Sequence, residues 1–251
     1  MTTSNRQTMM FEYIQMQKVA TVAQLARHFN VSEMTVRRDL VALEQAALIV
    51  RSHGKAEILE QQDIDIKFSQ RAIKDLACKR RIAQLALPFL EKASSIYIDA
   101  STTAYELLKI LPDTRPMTVF TNSFAAFNLI SNNINIRPFL IGGFLCKDHN
   151  TLDDETSHDI AKKIFVDVAV ISCAGFSFEG AFNNAYPGNQ IKRIMIGNAR
   201  RTFLLADHTK SSSRGIFLLS SWDEISHFFS DAPLESTLET VIKQHGVTIL
   251  T

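Results

Sequence analysis

Only three residues, Asn30-Val31-Ser32, separate two segments of helical periodicity, and so short a break makes the two helices one tightly folded unit. Upstream, Val22, Leu25, Ala26 and Phe29 recur at helical spacing behind Thr21, a residue suited to cap a helix. Downstream, the segment Glu33–Gln45 places Val36, Leu40 and Leu43 on one face. An advance of about 100° per residue puts Met34, Arg38, Val41 and Gln45 on the opposite face, flanked by Thr35 and Arg37. Asn30 tolerates the left-handed backbone of a tight turn, and Ser32 can cap the helix that follows. A first helix is expected from about Thr8 to Gln17, with Met10 and Ile14 one turn apart. After the third helix, Leu48–Arg51 and Ala56–Leu59 are short apolar runs around Ser52-His53-Gly54-Lys55, the pattern of a hairpin.

A short helix, a tight turn and a second helix with basic groups outward are what reading of a DNA major groove requires. Ser32, Met34, Thr35, Arg37 and Arg38 are the expected contacts to double-stranded operator DNA. An arginine can bond guanine through two N–H groups, and Thr or Met can touch a thymine methyl. The hairpin is then a wing whose Arg51, His53 and Lys55 reach phosphates. Residues 1–55 carry seven Lys/Arg against four Asp/Glu, while the remainder carries twenty against twenty-two, so the excess of positive charge sits at the N-terminus. The competing reading is a small helical protein-interaction module with merely solvated basic residues. The agreement of helix lengths, turn, outward face and hairpin favours DNA.

Glu60 to about Lys74 lacks a sustained apolar period. The chain is therefore divided into a DNA-binding domain over 1–60, a linker over 61–75 and an α/β domain over 76–251. A helical pattern over Leu76–Leu90 aligns Ile82, Leu85, Ala86 and Phe89, with Lys79-Arg80-Arg81 expected on its solvated face. Beyond it, strands at Ile96–Asp99, Met117–Thr121, Ile136–Ile141, Val168–Cys173, Thr202–Ala206, Ser226–Ser230 and Val247–Leu250 alternate with helical segments. That alternation specifies the α/β class, with a larger Rossmann-like, mainly parallel sheet. No apolar run reaches the roughly 18 residues of a membrane helix, and no apolar signal core follows the first residues, so a cytoplasmic protein is expected. Cys78, Cys146 and Cys173 lie far apart, as free thiols do in a reducing compartment.

In such sheets ligands sit beyond the carboxyl ends of the strands. Four strand ends carry useful groups. Asp99-Ala100-Ser101-Thr102-Thr103 closes one strand and opens a helix whose N-terminus suits an anion. Thr121-Asn122-Ser123 repeats the arrangement, Gly142-Gly143 permits close backbone approach, and Asp207-His208-Thr209-Lys210 offers a hydroxyl acceptor and a cation. Each alone is more often a cap or turn, and their shared position argues for one pocket. There is no dinucleotide-binding loop, Walker motif or histidine metal motif in the sequence, and no cofactor is expected.

Val31 to Leu40, Leu43 and the Arg51…His53-Gly54 wing resemble the DeoR/GlpR family of bacterial sugar-catabolism regulators. The family's second wing glycine is Lys55 here. The resemblance extends through Asp99–Thr103, Thr121–Ser123, Ile141–Gly143, Ile191-Lys192-Arg193 and Asp207–Lys210 to the family's sensor domain. That domain is similar to ribose-5-phosphate isomerase and CoA-transferase folds. The resemblance implies a phosphorylated sugar or sugar-pathway effector, held at its phosphate by Ser101, Thr102, Thr103 and Lys210 and at its hydroxyls by Asp99, Asn122, Asp207 and Lys192. It also implies repression relieved by the effector. Paired recognition helices imply a homo-oligomer, a dimer or tetramer. Two departures are visible: the family's common first-loop glycine is Ser101, and Tyr186-Pro187-Gly188-Asn189 lacks the acid that often precedes the Lys192 helix.

Two rivals differ in class. A sugar-phosphate isomerase with a DNA-binding head would need clustered carboxylates, yet Ser172-Cys173-Ala174-Gly175-Phe176-Ser177 has none where the isomerases carry an Asp-Gly-Ala-Asp-Glu run. Cys173 as a nucleophile would need a histidine partner. The other rival is a DNA-binding protein whose large domain serves only for assembly. The preferred expectation is a non-catalytic sensor.

Overall fold

The computed structural model describes residues 3–45, 49–52, 54–58, 68–112, 114–146, 150–184, 189–212 and 215–251. They fall into two compact units, Met1–Lys74 and Asp75–Thr251. His53 of the expected wing and residues 61–67 of the expected linker lie outside the described residues.

The N-terminal unit contains α1 (Thr3–Gln17), β1 (Val19–Thr21), α2 (Val22–Phe29), α3 (Glu33–Gln45), β2 (Ile49–Ser52), β3 (Lys55–Ile58) and α4 (Phe68–Ile73). Thr21 and Gln24 form a reciprocal capping box at the start of α2. Asn30 ends that helix in the left-handed conformation, at φ 51°. Ser32 then accepts the Thr35 N–H at 3.2 Å. Met10, Ile14, Leu25, Val36, Leu40 and Leu43 close one apolar core with Ile49 and Ala56. The hairpin has a third strand that periodicity did not reveal: β1 pairs with β3, giving the order β1-β3-β2. Gly54 turns the wing at φ +80°, a value that a side chain would strain. Phe68–Ile73, inside the stretch read as linker, is helical, and Ile73 packs on the core of this unit.

The C-terminal unit begins with α5 (Leu76–Ala86) and a short 3-10 turn over Leu87–Leu90. There follow β4 (Ser95–Ile98), α6 (Thr102–Lys109), β5 (Met117–Thr121), α7 (Phe124–Ile130), β6 (Ile136–Leu140), β7 (Leu145–Cys146), β8 (Thr151–Leu152), α8 (Glu155–Ala161) and β9 (Val166–Ile171). The chain ends with β10 (Gly175–Ser177), β11 (Gly180–Asn183), α9 (Gln190–Gly197), β12 (Ala199–Leu205), β13 (Phe217–Ser220), β14 (His227–Phe229), α10 (Ser236–Gln244) and β15 (Thr248–Leu250). Seven strands form one sheet in the order β15-β14-β12-β9-β4-β5-β6, every pair parallel. Apolar layers cover both faces, one around Tyr97, Ile171, Leu204 and Phe228, the other around Ile98, Val170, Phe203 and Phe229.

The first strand of this sheet, β4, lies inside it. The chain builds outward through β5 and β6 on one side, then returns to lay β9, β12, β14 and β15 on the other. The sheet therefore reverses direction between β4 and β9, and a crevice opens at such a reversal. A separate small sheet, β10-β11-β13, is antiparallel. Lys79 departs from its expected place on a solvated face. It is buried, because α5 turns that side inward along with Ile82 and Ala83.

Candidate functional site

On α3 the inward and outward faces separate as the spacing predicts. Met34 is 78% exposed, and Ser32, Arg37 and Arg38 are exposed beside the half-buried Thr35. Arg37 makes a solvent-facing contact at 3.5 Å with Glu33, one turn earlier. Arg38 has no ion pair among the described residues. The helix is fixed from beneath by a pair that periodicity did not suggest. Asp39, fully buried, accepts Arg6 Nε at 2.6 Å and Arg6 Nη2 at 3.3 Å, with Gln7 Nε2 at 3.2 Å. This fork ties α1 to the back of α3, so its exposed face is held on a rigid support. In the wing, Lys55 is exposed. Arg51, expected to reach phosphate, is paired within the protein: Glu44 of α3 takes its guanidinium at 2.6 Å and its backbone N–H at 3.2 Å. The pair anchors wing to helix.

At the crevice between β4 and β9, Asp99 is 1% exposed. Its carboxylate accepts the backbone N–H groups of Ser101 and Ser172, both at 2.9 Å, and Lys192 Nζ lies 2.8 Å away. Lys192 also donates to the Ser172 carbonyl at 3.0 Å. From the end of β12, Lys210 donates to the Ser172 hydroxyl at 3.0 Å, and its own Asp207 stands 3.7 Å away. Four groups, Asp99, Lys192, Asp207 and Lys210, thus meet around Ser172, which no sequence pattern had marked. Asp153 belongs beside them: it pairs with His158 at 2.6 Å, accepts the Ile191 N–H and feels the charge of Lys192. Burial raises its carboxyl above the ordinary carboxylate range, opposed by the bond with His158.

Several expected effector groups have other work. The Asn122 amide accepts from the Tyr97 hydroxyl at 2.8 Å and donates to Thr151 Oγ1 at 2.7 Å and to the Leu152 carbonyl at 3.1 Å. These bonds brace β4, β5 and β8 around the Asn122 side chain, which the sequence reading placed at an effector hydroxyl. Thr121 is fully buried and accepts the Ser123 N–H, while Ser123 caps α7 through Ala126. Both are turn formers here. Ser101 caps α6 through the Ala104 N–H at 3.2 Å, and Thr102 and Thr103 are buried in its first turn. Gly143, at φ +141°, is required by packing. A Cβ there would collide with Ser157 Oγ and with an Asp154 carboxylate oxygen. Nothing lies within 4 Å of the place a Gly142 Cβ would occupy, and its carbonyl accepts the Ser157 hydroxyl at 2.5 Å.

Cys173 is buried, and desolvation pushes its thiol up to about 11 despite Lys210 and Lys192. It is a neutral core group rather than a thiolate. A hollow at the amino ends of β4, β9 and β12, lined by Ser95, Asp167, Asn198 and Arg200 among others, carries none of the groups at the carboxyl ends. No helix among the described residues is long and apolar enough to cross a membrane.

A winged helix-turn-helix with an exposed arginine face, joined to an α/β unit with charged groups gathered at a strand-order reversal, defines a DNA-binding regulator with a small-molecule sensor. Residues 6–62 match the DeoR-like helix-turn-helix domain and residues 74–232 the DeoR C-terminal sensor domain. The chain belongs to the DeoR family of transcriptional regulators. It is 32% identical over 250 residues to the HTH-type transcriptional regulator YulB of Bacillus subtilis, covering 99% of this chain and 96% of that one. It is 30% identical over 246 residues to the L-fucose operon activator of Haemophilus influenzae, covering 96% and 97%. With the glycerol-3-phosphate regulon repressor of Escherichia coli it shares 25% over 247 residues, or 98% of each. Among solved structures it is similar to ribose 5-phosphate isomerase A of Methanocaldococcus jannaschii, at 15% identity and TM-score 0.40 over 55% of each chain.

Proposed function

We propose that this regulator controls a sugar-catabolism operon, and that a phosphorylated sugar bound at the β4/β9 crevice changes its affinity for operator DNA. One observation carries the reading: two ammonium groups, Lys192 and Lys210, converge on Ser172 between the buried carboxylates Asp99 and Asp207. Two cations suit a phosphate, and carboxylates beside them suit sugar hydroxyls. The N-terminus of α6, with Ser101, Thr102 and Thr103, supplies further anion-favouring N–H dipoles at the same edge. Ser172 and Asp153 join the candidate contacts.

In the DNA-binding domain, over residues 1–60, Ser32, Met34, Thr35, Arg37 and Arg38 form the reading face of α3. Lys55 reaches phosphate from the wing, and His53 is assigned with it by position. The sensor, over 76–251, is non-catalytic on this reading. The neutral Cys173 thiol offers no nucleophile, and Ser172-Cys173-Ala174 lacks the clustered acids that the isomerases carry there, while Asp99 and Asp207 are engaged by Lys192 and Lys210. The protein assembles as a homo-oligomer that presents paired heads to half-sites, and it works in the cytoplasm, where its DNA partner is. Effector binding favours one arrangement of the heads over another. The leading direction is release from the operator. The names of the relatives include both an activator and a repressor.

The test is thermal unfolding of the whole chain against a panel of sugar phosphates, the matching free sugars and inorganic phosphate. A ligand at about 100 times its Kd stabilises by about 2.7 kcal/mol. The expected result is stabilisation by a phosphorylated sugar, absent with the free sugar and lost in Lys192→Met. A flat response across the panel by a protein that still binds DNA would point to an assembly domain instead. Turnover of a pentose or hexose phosphate would establish the isomerase.

A further inference from the structure

A second cluster of chemistry lies one strand away from the effector crevice. The parallel pairing of β12 with β14 aligns Leu205 with Phe229, so the residues that follow the two strands emerge side by side. His208 follows β12 and Asp231 follows β14. The Asp231 carboxylate accepts the His208 backbone N–H at 2.9 Å and faces the ring Nδ1 at 2.8 Å. From the first turn of α5, the Cys78 thiol donates to the same carboxylate. One donor atom from each of Cys78, His208 and Asp231 lies within 4.8 Å of the other two.

We propose that Cys78, His208 and Asp231 form a binding site for a thiophilic divalent cation, with Zn²⁺ as the best match. The donor set decides the class of metal. A thiolate with an imidazole excludes the oxygen-seeking Ca²⁺ and Mg²⁺, while one carboxylate completes the mixed S/N/O set that Zn²⁺ accepts. Zn–S bonds of about 2.3 Å and Zn–N and Zn–O bonds of about 2.0 Å place tetrahedral ligand atoms roughly 3.3–3.6 Å apart. The His208–Asp231 pair must widen from 2.8 Å while the longer separations of the set close, and rotation of the exposed His208 and half-buried Cys78 side chains about the buried Asp231 carboxylate can supply both changes. Three protein ligands leave the fourth position to water. On binding, Cys78 gives its thiol proton to solvent, and the sulfur that now donates to Asp231 becomes a metal ligand.

The order of the groups argues against the rival reading, a cysteine nucleophile. In a nucleophilic pair the imidazole takes the thiol proton. Here the thiol is directed to the carboxylate, and the imidazole sits on that carboxylate's other side. The site also has a structural consequence. Its ligands come from α5, from the segment between β12 and β13, and from the end of β14, so a bound cation pins the segment that carries Asp207 and Lys210 to two neighbouring elements.

The test uses the full-length reduced protein stripped with chelator and titrated with Co²⁺, then Zn²⁺, without effector or DNA. One Co²⁺ per chain with a thiolate-to-cobalt charge-transfer band is expected. The band disappears in Cys78→Ser, persists in Cys146→Ser and is displaced by Zn²⁺. His208→Ala weakens Zn²⁺ binding by on the order of 100-fold. A wild-type titration with no thiolate band overturns the site, as does a band that survives Cys78→Ser. Should Cys78→Ser fail to fold, alkylation of Cys78 in the wild-type chain, followed by mass spectrometry, gives the answer. Zn²⁺ is expected to protect it, and an unchanged alkylation rate refutes the proposal.

Discussion

In the N-terminal unit the charged groups of the proposed site stand in water: Arg37, Arg38 and Lys55 are exposed, and a buried ion pair, Arg6 with Asp39, lies behind the reading face. In the C-terminal unit the proposed site is itself the buried network, with Asp99, Asp207, Ser172, Lys192 and Lys210 already bonded to one another. The difference follows from the partners. A duplex is large and highly charged, so a reading face needs a rigid support and free cations, whose counterions it displaces on contact. A small ligand must be surrounded, and its site needs donors and acceptors fixed in advance within a drier environment. Substitutions in the first site should therefore alter binding with little effect on folding. In the second, and behind α3, they should affect both.

The largest effect is expected behind α3. Asp39→Ala leaves Arg6 without its partner and should destabilise the protein by about 3 kcal/mol, the lower end for a broken buried pair because the Arg6 side chain keeps 11% of its surface exposed. Urea unfolding measures it, and a loss below about 1 kcal/mol would mean the pair is not a support. Arg38→Ala should next cost about 2 kcal/mol of operator affinity, with unfolding unchanged; equal losses on operator and unrelated DNA would reassign Arg38 to phosphate contact. Lys210→Ala should weaken effector binding about tenfold, or about 1.4 kcal/mol, while operator affinity without effector stays as it was. An unaltered effector titration would remove Lys210 from the pocket. Arg51→Ala should cost no more than about 0.5 kcal/mol of DNA affinity, since Glu44 already holds its guanidinium. A loss as large as that of Arg38→Ala would show that the pair opens on DNA.

The smallest effect concerns pH. Burial, then Arg201, lowers the His227 pKa below its ordinary 6.5, so the folded chain holds this ring neutral. A depressed pKa contributes stability that is present above the unfolded value and is lost as pH falls toward the folded one. His227→Gln should accordingly flatten part of the fall in melting temperature between about pH 7 and about pH 5. An identical fall in both proteins would exclude His227 as its source.

The same contrast governs what could be read from the sequence. The helix Glu33–Gln45 and its two faces follow from a period of 3.6, because a helix at a surface must sort its residues by solvent. Strand order was legible only as alternation, since periodicity says nothing about which parallel strands pair or where the sheet reverses. Asp99, Asp207 and Lys210 were singled out because polar groups at strand ends mark the mouth of an α/β sheet, and Lys192, on a helix, through the family resemblance alone. Ser172 and Asp153 were missed because one closes an apolar run and the other lies in a loop beside a helix cap. Asn122 and Thr121 show the converse: residue types that suit a ligand equally suit the closing of a turn, and only coordinates reveal which partners they have. Arg51 was read as a free cation because Glu44, seven residues earlier on another element, leaves no local signature. The β1 strand was hidden for a similar reason, since three residues that complete a sheet through β3 show no period of their own.

Operator affinity of the wild-type chain, measured with and without the sugar phosphate that stabilises it most, tests the central claim most directly. The account predicts a change of at least about tenfold, equivalent to 1.4 kcal/mol of coupling, that disappears in Lys192→Met. An operator affinity that is identical at zero and saturating effector would contradict it.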